Sequence, residues 1–323
     1  MDGKMQIDRA VIEIQGGCNY TCQMCPQTNP DGTTGARGKN WMKKMPLAEF
    51  ERYVAECAEA GLNVVNLDGS GEATISMDLP KYIEVVKKYG AQAVIFSNGY
   101  RMNGNFMKEC VDAGLDFFRF SIVGYNYDKY KEWMNSDNFY RVISNLHEMK
   151  RYVVRSKSKC VVATYHLILD NDNIDHEVEE YKKIVKSANV QTEIWKMHNW
   201  SGVYDPEYDR SGEKKTCGRP FSPDIVIRAG GLGNSTGAIH PCCQVLGRDD
   251  EAVLGHGSLN TLEEIWYGDE YNTLRKQHET GDYPDFCKSC DFLIDDPEVL
   301  VYTNHGRENY KMYGTKFNLD DYR

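Results

Sequence analysis

Long apolar runs are missing from this 323-residue chain, and nothing in it approaches the length needed to cross a bilayer. The start, MDGKMQIDRA, carries no apolar signal-peptide core, so a cytoplasmic location is expected. Positive charge is also in short supply: 38 Lys and Arg against 48 Asp and Glu, for a net charge of −10. A phosphate-backbone partner would call for a basic surface, which argues against nucleic acid, and the acidic excess reads as solubility. Internal repeats and low-complexity segments are absent. About ten residues precede the first predicted strand, too few for an N-terminal recognition domain.

Cysteine is what the chain has in excess. Eleven is many for a cytosolic protein, and the odd count and uneven spacing argue against a disulfide framework. Cys57, Cys110 and Cys160 stand alone in apolar surroundings and read as small core residues. The others fall into two groups, Cys18, Cys22 and Cys25 near the start, and Cys217, Cys242, Cys243, Cys287 and Cys290 in the last third. That segregation points to two metal sites. The spacing C-x3-C-x2-C can hold three irons of a cubic [4Fe–4S] cluster and leave the fourth open to a small ligand. A zinc site, which normally wants four protein ligands, and unconnected core thiols are the competing readings.

Hydrophobic content of 41% is enough for a sizeable core. The runs at 11–14, 63–67, 92–96, 116–123, 161–169 and 191–197 read as six strands. Between them lie stretches with helical spacing of apolar residues that end in glycine. Alternation of this kind gives an α/β fold, a parallel sheet with helices packed outside, and reactive groups at the C-terminal strand ends. The cysteine run follows directly after the first strand. The expected division is this α/β domain over 1–200, a linker over 201–215, a cysteine-rich domain over 216–295 built from a β-hairpin plus helix, and a tail over 296–323.

The cysteine run resembles the radical S-adenosylmethionine (SAM) superfamily. The resemblance implies a partial (β/α)6 barrel with SAM bound to the open iron through its amino and carboxylate groups. It also implies one-electron cleavage of SAM to methionine and a 5′-deoxyadenosyl radical. Other segments agree. Asp68-Gly69-Ser70-Gly71-Glu72-Ala73 is close to the family's Gly-Gly-Glu-Pro, with Ser70 and Ala73 departing from it. Gly69 and Gly71 let backbone approach a ligand, and Glu72 suits the methionine ammonium. Ser97-Asn98-Gly99 matches the ribose-contacting position. Ser121 with Gly124 resembles a further SAM element, and Met24 stands where the family often packs an aromatic on adenine. Ordinary turns and a solvated glutamate explain each segment alone; their order at successive strand ends is the specific feature. Arg119 shares a strand face with Ser121, where it can hold a carboxylate, contact substrate or simply pack.

The second cysteine group resembles the appended domains called SPASM and twitch. Five cysteines allow one auxiliary [4Fe–4S] cluster, the twitch arrangement, with Cys217, Cys242, Cys287 and Cys290 as ligands and Cys243 spare. A four-thiolate zinc site is the alternative.

The expected reaction is hydrogen-atom abstraction from a small polar substrate, such as a sugar or aminocyclitol, ending in oxidation. A resemblance to a twitch-type aminocyclitol dehydrogenase supports that outcome. The alternatives are epimerisation with Cys243 as hydrogen donor, peptide modification, an electron-transfer accessory and a zinc-stabilised binding module. His198, after the sixth strand, and His166, within the fifth, are candidates to line the substrate cavity, although structural histidines are the more frequent case. A reducing donor such as flavodoxin or ferredoxin is the expected partner, with no membrane and no nucleic acid.

Overall fold

A computed structural model describes residues 4–29, 31–33, 37–205, 216–293 and 300–305. The six expected strands alternate with helices in the order β1 (Arg9–Ile12), α1 (Leu47–Glu59), β2 (Val64–Asn66), α2 (Leu79–Lys88), β3 (Gln92–Ser97) and α3 (Gly104–Asp112). Next come β4 (Phe117–Ser121), α4 (Tyr127–Met134), α5 (Phe139–Ser156), β5 (Val161–Leu167), α6 (Ile174–Ala188) and β6 (Gln191–Trp195). These strands pair in parallel in chain order.

Helical periodicity explains the outer layer. In α1 the buried residues are Phe50, Tyr53, Val54 and Cys57, one stripe at three- and four-residue spacing. Gly61, Gly90 and Gly114, the expected stops of α1, α2 and α3, all take positive φ. Each strand turns alternate residues toward the helices, as Phe118 and Phe120 do in β4, both fully buried. Cys57, Cys110 and Cys160 belong to this core, as expected.

The C-terminal segment adds β7 (Asp224–Arg228), β8 (Ala238–His240), β9 (Gly255–His256), α7 (Leu262–Trp266), α8 (Asp269–Thr280), α9 (Asp285–Lys288) and β10 (Leu300–Thr303). The expected hairpin, β7 and β8, does not stand apart from the barrel. Strand β7 pairs in parallel with β1, while β8, β9 and β10 join as antiparallel strands, making one sheet ordered β10-β6-β5-β4-β3-β2-β1-β7-β8-β9. The stretch 259–281 is two helices rather than one. Thr261 and Glu264 form a capping box on α7, and Gly268 breaks the run as the extended N-cap of α8. From 206 on, the expected linker lies outside the described residues, and so does the expected tail apart from 300–305. No helix among the described residues is long and apolar enough to cross a membrane.

Candidate active site

The cysteine loop leaves the C-terminal end of β1 and folds into turns. Cys25 N–H donates to Cys22 O at 3.0 Å, Thr28 N–H to Cys25 O at 2.9 Å, and Thr28 Oγ1 to Cys22 O at 2.9 Å. Cys18, Cys22 and Cys25 are half-buried. Burial pushes Cys18 up to about 12, with the Glu72 carboxylate adding to the effect. It raises Cys22 well above the ordinary thiol value, and the fields of Cys25 and Cys18 add to it. Cys25 is raised by burial and drawn back by the Gln27 backbone N–H and by Arg37. Three recessed thiols that oppose one another's ionisation need a cationic centre among them to become thiolates, which bound metal supplies. Three thiols on one loop are a donor set that fits an iron–sulfur cluster.

The loops after β2 and β3 lock onto this one. Glu72 N–H donates to Gly17 O at 2.9 Å. A Cβ on Gly71 would collide with the Gln15 carbonyl oxygen, so only glycine permits that approach. Glu72 is almost fully buried; its Oε1 accepts from Thr74 N–H at 3.0 Å, Thr74 Oγ1 at 2.7 Å and Ser97 Oγ at 2.7 Å, and its Oε2 from Asn98 N–H at 2.8 Å. Asn98 Nδ2 donates to Asn19 Oδ1 at 2.9 Å, closing the circuit back to the cysteine loop. Ser97 and Asn98, expected at a sugar, thus direct a hydroxyl and a backbone N–H at Glu72. Met24 is buried in the main core, and Gly69 presses on the Glu13 side chain.

Ser70, the departure from the family motif, sits in a buried network. Its N–H donates to Glu13 Oε2 at 2.5 Å, and its hydroxyl lies between Glu13 and Arg37. Arg37 pairs with Asp249 through two 2.6 Å bonds, and Arg228 touches Glu13 Oε2 at 3.4 Å and His240 Nδ1 at 3.1 Å. The network ties the strand end that carries the cysteines to the C-terminal segment.

On the inner face of the sheet, Arg119 Nη1 pairs with Glu193 Oε2 at 3.2 Å, between the rings of Phe96 at 3.5 Å and Tyr165 at 4.3 Å. Trp195 Nε1 donates to the same Glu193 oxygen at 2.9 Å. Ser121 is half-buried on that face. Asp68, at the end of β2, accepts from Phe96 N–H at 3.1 Å. Burial pushes its carboxyl up to about 6, against the pull of Arg119. Sequence reasoning quoted Asp68 without giving it a role and missed Glu193. The available signal was an acid on the inward register of a strand end.

The expectation for His166 needs correction. His166 points away from the lumen because it alternates with the inward Tyr165. Its Nδ1 accepts from Gly124 N–H at 3.1 Å and its Nε2 faces Glu177 Oε1 of α6 at 2.6 Å. His198 packs on Trp200 at 4.1 Å and on Phe292 at 6.2 Å, while Asn199 bonds Ser289 and Asp291. This tripeptide docks the second cysteine segment.

In that segment Cys217 and Cys290 form a small apolar core with Leu293, and Cys287, Tyr283 and Phe292 pack on it. Burial raises Cys217 to about 11, Cys242 to about 12, and Cys287 further. Cys242, Cys217 and Cys290 all bear on Cys287, and Cys243 bears on Cys242. Cys243 Sγ instead accepts from Arg219 Nη1 and Gln244 Nε2, both at 3.9 Å.

Thiols at a barrel strand end, a glutamate loop beside them and a second thiol group at the sheet edge define an iron–sulfur enzyme on an α/β half-barrel. The chain belongs to the radical SAM superfamily, whose family model matches residues 12–188, more than half of it. A second model, the iron-sulfur cluster-binding SPASM domain, matches residues 234–291. SAM and [4Fe–4S] chemistry, with auxiliary cluster binding, come with these families. A probable GTP 3′,8-cyclase of Sulfolobus acidocaldarius is 27% identical over 178 residues, 51% of this chain and 52% of that one. The chain spans about half the length of the curated relatives it matches at this level. Among solved structures, BtrN in complex with AdoMet and 2-DOIA is similar with a TM-score of 0.57 and 16% identity, over 90% of this chain and 94% of that one. SuiB of Streptococcus suis, bound to precursor peptide SuiA, has a TM-score of 0.63 and 15% identity over 90% and 70%. At such identities the likeness is one of fold.

Proposed function

We propose that this chain is a radical SAM oxidoreductase that dehydrogenates a small polar substrate such as a sugar or aminocyclitol. Cys18, Cys22 and Cys25 hold the SAM-binding cluster, and Cys217, Cys242, Cys287 and Cys290 hold one auxiliary cluster. When bound, these groups supply a 5′-deoxyadenosyl radical for hydrogen-atom abstraction and an acceptor for the remaining electron. The chain must then take a proton from the substrate O–H or N–H beside the abstracted hydrogen.

Asp68 carries this reading. Its carboxylate lies on the inner face at a strand end, beside the Glu72 loop, and with a pKa of about 6 it is ionised yet basic at neutral pH. Arg119 is fixed by Glu193 and two aromatic rings, and its charge bears on Asp68 as well. Phe96, Tyr165 and Trp195 give the lumen apolar faces that exclude water. Two carboxylates against one cation favour a hydroxylated or amine-bearing substrate over an anionic one. Cys243 serves epimerisation poorly, because its sulfur is engaged by Arg219 among the auxiliary thiols.

The test is anaerobic turnover with dithionite on a panel of sugars and aminocyclitols. Substrate-stimulated 5′-deoxyadenosine and a product lighter by two hydrogens are expected. A product of unchanged mass would overturn the oxidative reading, and a modified peptide substrate would overturn the substrate class.

A further inference from the structure

The auxiliary thiols share their pocket with a buried cation. Arg219 follows Cys217 by two residues and opens a short 3-10 turn (Arg219–Phe221) after Gly218, whose φ is +69°. Its Nη1 reaches Cys243 Sγ at 3.9 Å, and its guanidinium lies over the Phe292 ring at 5.4 Å. A guanidinium in this pocket stays charged at every working pH. Packing with Phe292 on the small Cys217–Cys290–Leu293 core limits the water that would screen this field.

We propose that Arg219 is a redox-tuning residue that raises the reduction potential of the auxiliary cluster, making it an electron acceptor. The inference rests on the reading of Cys217, Cys242, Cys287 and Cys290 as ligands of an auxiliary [4Fe–4S] cluster. Reduction adds one negative charge to such a cluster, and a fixed cation at the thiolates stabilises the reduced form more than the oxidised one. Cluster potentials follow net local charge, hydrogen bonds to sulfur and solvent exposure. Arg219 supplies the local charge, beside Cys243 and so next to the ligand Cys242, and Phe292 limits solvent. The electron accepted is the one left on the substrate carbon after hydrogen-atom abstraction, as its O–H or N–H proton passes to the chain. No oxidant other than the cluster is required.

The test is an EPR-monitored redox titration of the full chain carrying Cys18→Ala, Cys22→Ala and Cys25→Ala, so that only the auxiliary cluster reports. Arg219→Gln should weaken reduction about tenfold, a downward shift of about 59 mV for a one-electron couple, and Arg219→Lys should recover most of it. An unchanged potential at full iron content in Arg219→Gln would overturn the inference. Absence of iron in the parent triple variant would sink the cluster reading itself, which separates the two failures. If Arg219→Gln does not hold iron, Arg219→His makes the charge switchable in one protein. Its potential should fall as pH rises through the imidazole range more steeply than the parent's, and a matching profile overturns the proposal.

Discussion

Arg119 on β4 reaches across β5 to pair with Glu193 on β6, Nη1 to Oε2 at 3.2 Å. The pair is mostly buried, with the two side chains 12% and 5% exposed, so removing one partner leaves the other charge poorly solvated. Arg119 is also the main force holding the Asp68 carboxyl down against burial. Asp68 acts as a base only when ionised, so substrate-dependent turnover should fall as pH drops through about 6. Asp68→Asn should abolish that acidic limb and cut turnover by roughly 10²-fold or more, while substrate-independent SAM cleavage persists. The measurement is a pH profile of product formation beside 5′-deoxyadenosine. A limb that survives in Asp68→Asn would assign the base elsewhere.

Arg119→Gln moves the same limb the other way from neutralising an acid. Without the guanidinium, only hydrogen bonds oppose the burial of Asp68, its carboxyl rises above about 6, and the acidic limb should move to higher pH. Glu193→Gln removes a neighbouring negative charge and should leave the limb in place or lower it. A downward displacement in Arg119→Gln, or an equal one in the two variants, would refute a shared field in the lumen.

Iron and sulfide content after anaerobic reconstitution checks the two thiol groups independently. Two cubane clusters predict about eight irons, about four for the Cys18/Cys22/Cys25→Ala variant and about four for Cys287→Ala/Cys290→Ala. Cys243→Ala should keep about eight, because the Cys243 sulfur is engaged by Arg219 and Gln244. Loss of four irons in Cys243→Ala would exchange it with Cys242 as ligand.

The strands and outer helices were legible because alternation and three-to-four spacing are local signals. Val65 and Phe118 announce buried faces without help from distant residues. Pairing of β7 with β1 was not legible, since the sheet order depends on which edge is left open after six strands have joined. The site divides in the same way. Cys18, Cys22 and Cys25 stood out through their spacing in one loop, and Glu72 through the glycine motif of the next. The roles of Glu193 and Arg219 come from partners far along the chain, Arg119 at 74 residues and Cys243 at 24 residues. His166 misled because strand register, which sends it to Glu177 rather than into the lumen, cannot be told from its composition.

Acid should loosen the C-terminal segment first. His240 accepts from Arg228 Nε at 3.1 Å and faces Asp249 O at 3.0 Å; burial, with Arg228, holds it down at about 3. Burial holds His278 down at about 4. An unfolded histidine takes up its proton near 6.5, so below that pH the unfolded chain binds more protons than the folded one. Stability is therefore full above about 6.5 and falls as pH drops toward the folded values, by about 1.4 kcal/mol per pH unit for each histidine. Thermal unfolding of the reconstituted protein between pH 7.5 and 5 reads this out. His240→Asn should flatten the decline, and an equal slope in that variant would remove His240 from the account.

Gly71 offers the sharpest separation of SAM binding from folding. A Cβ there would run into the Gln15 carbonyl oxygen and lie 2.6 Å from both the Gly16 carbonyl carbon and Gly17 O, all backbone that cannot step aside cheaply. Gly71→Ala should therefore push the Glu72 loop off the cysteine loop and break the Glu72 N–H bond to Gly17 O. Overpacking of this kind costs about 1–3 kcal/mol. Gly90→Ala is the matched control: no atom lies within 4 Å of its Cβ, but φ of +78° strains an alanine there by about 1–2 kcal/mol. Both variants should melt earlier by similar amounts. Only Gly71→Ala should lose SAM affinity, tenfold or more, in equilibrium dialysis of the reconstituted protein. Equal SAM affinity in the two variants would mean that the contact between the loops serves folding alone, and that Glu72 is held over the cysteines by Ser97 and Asn98.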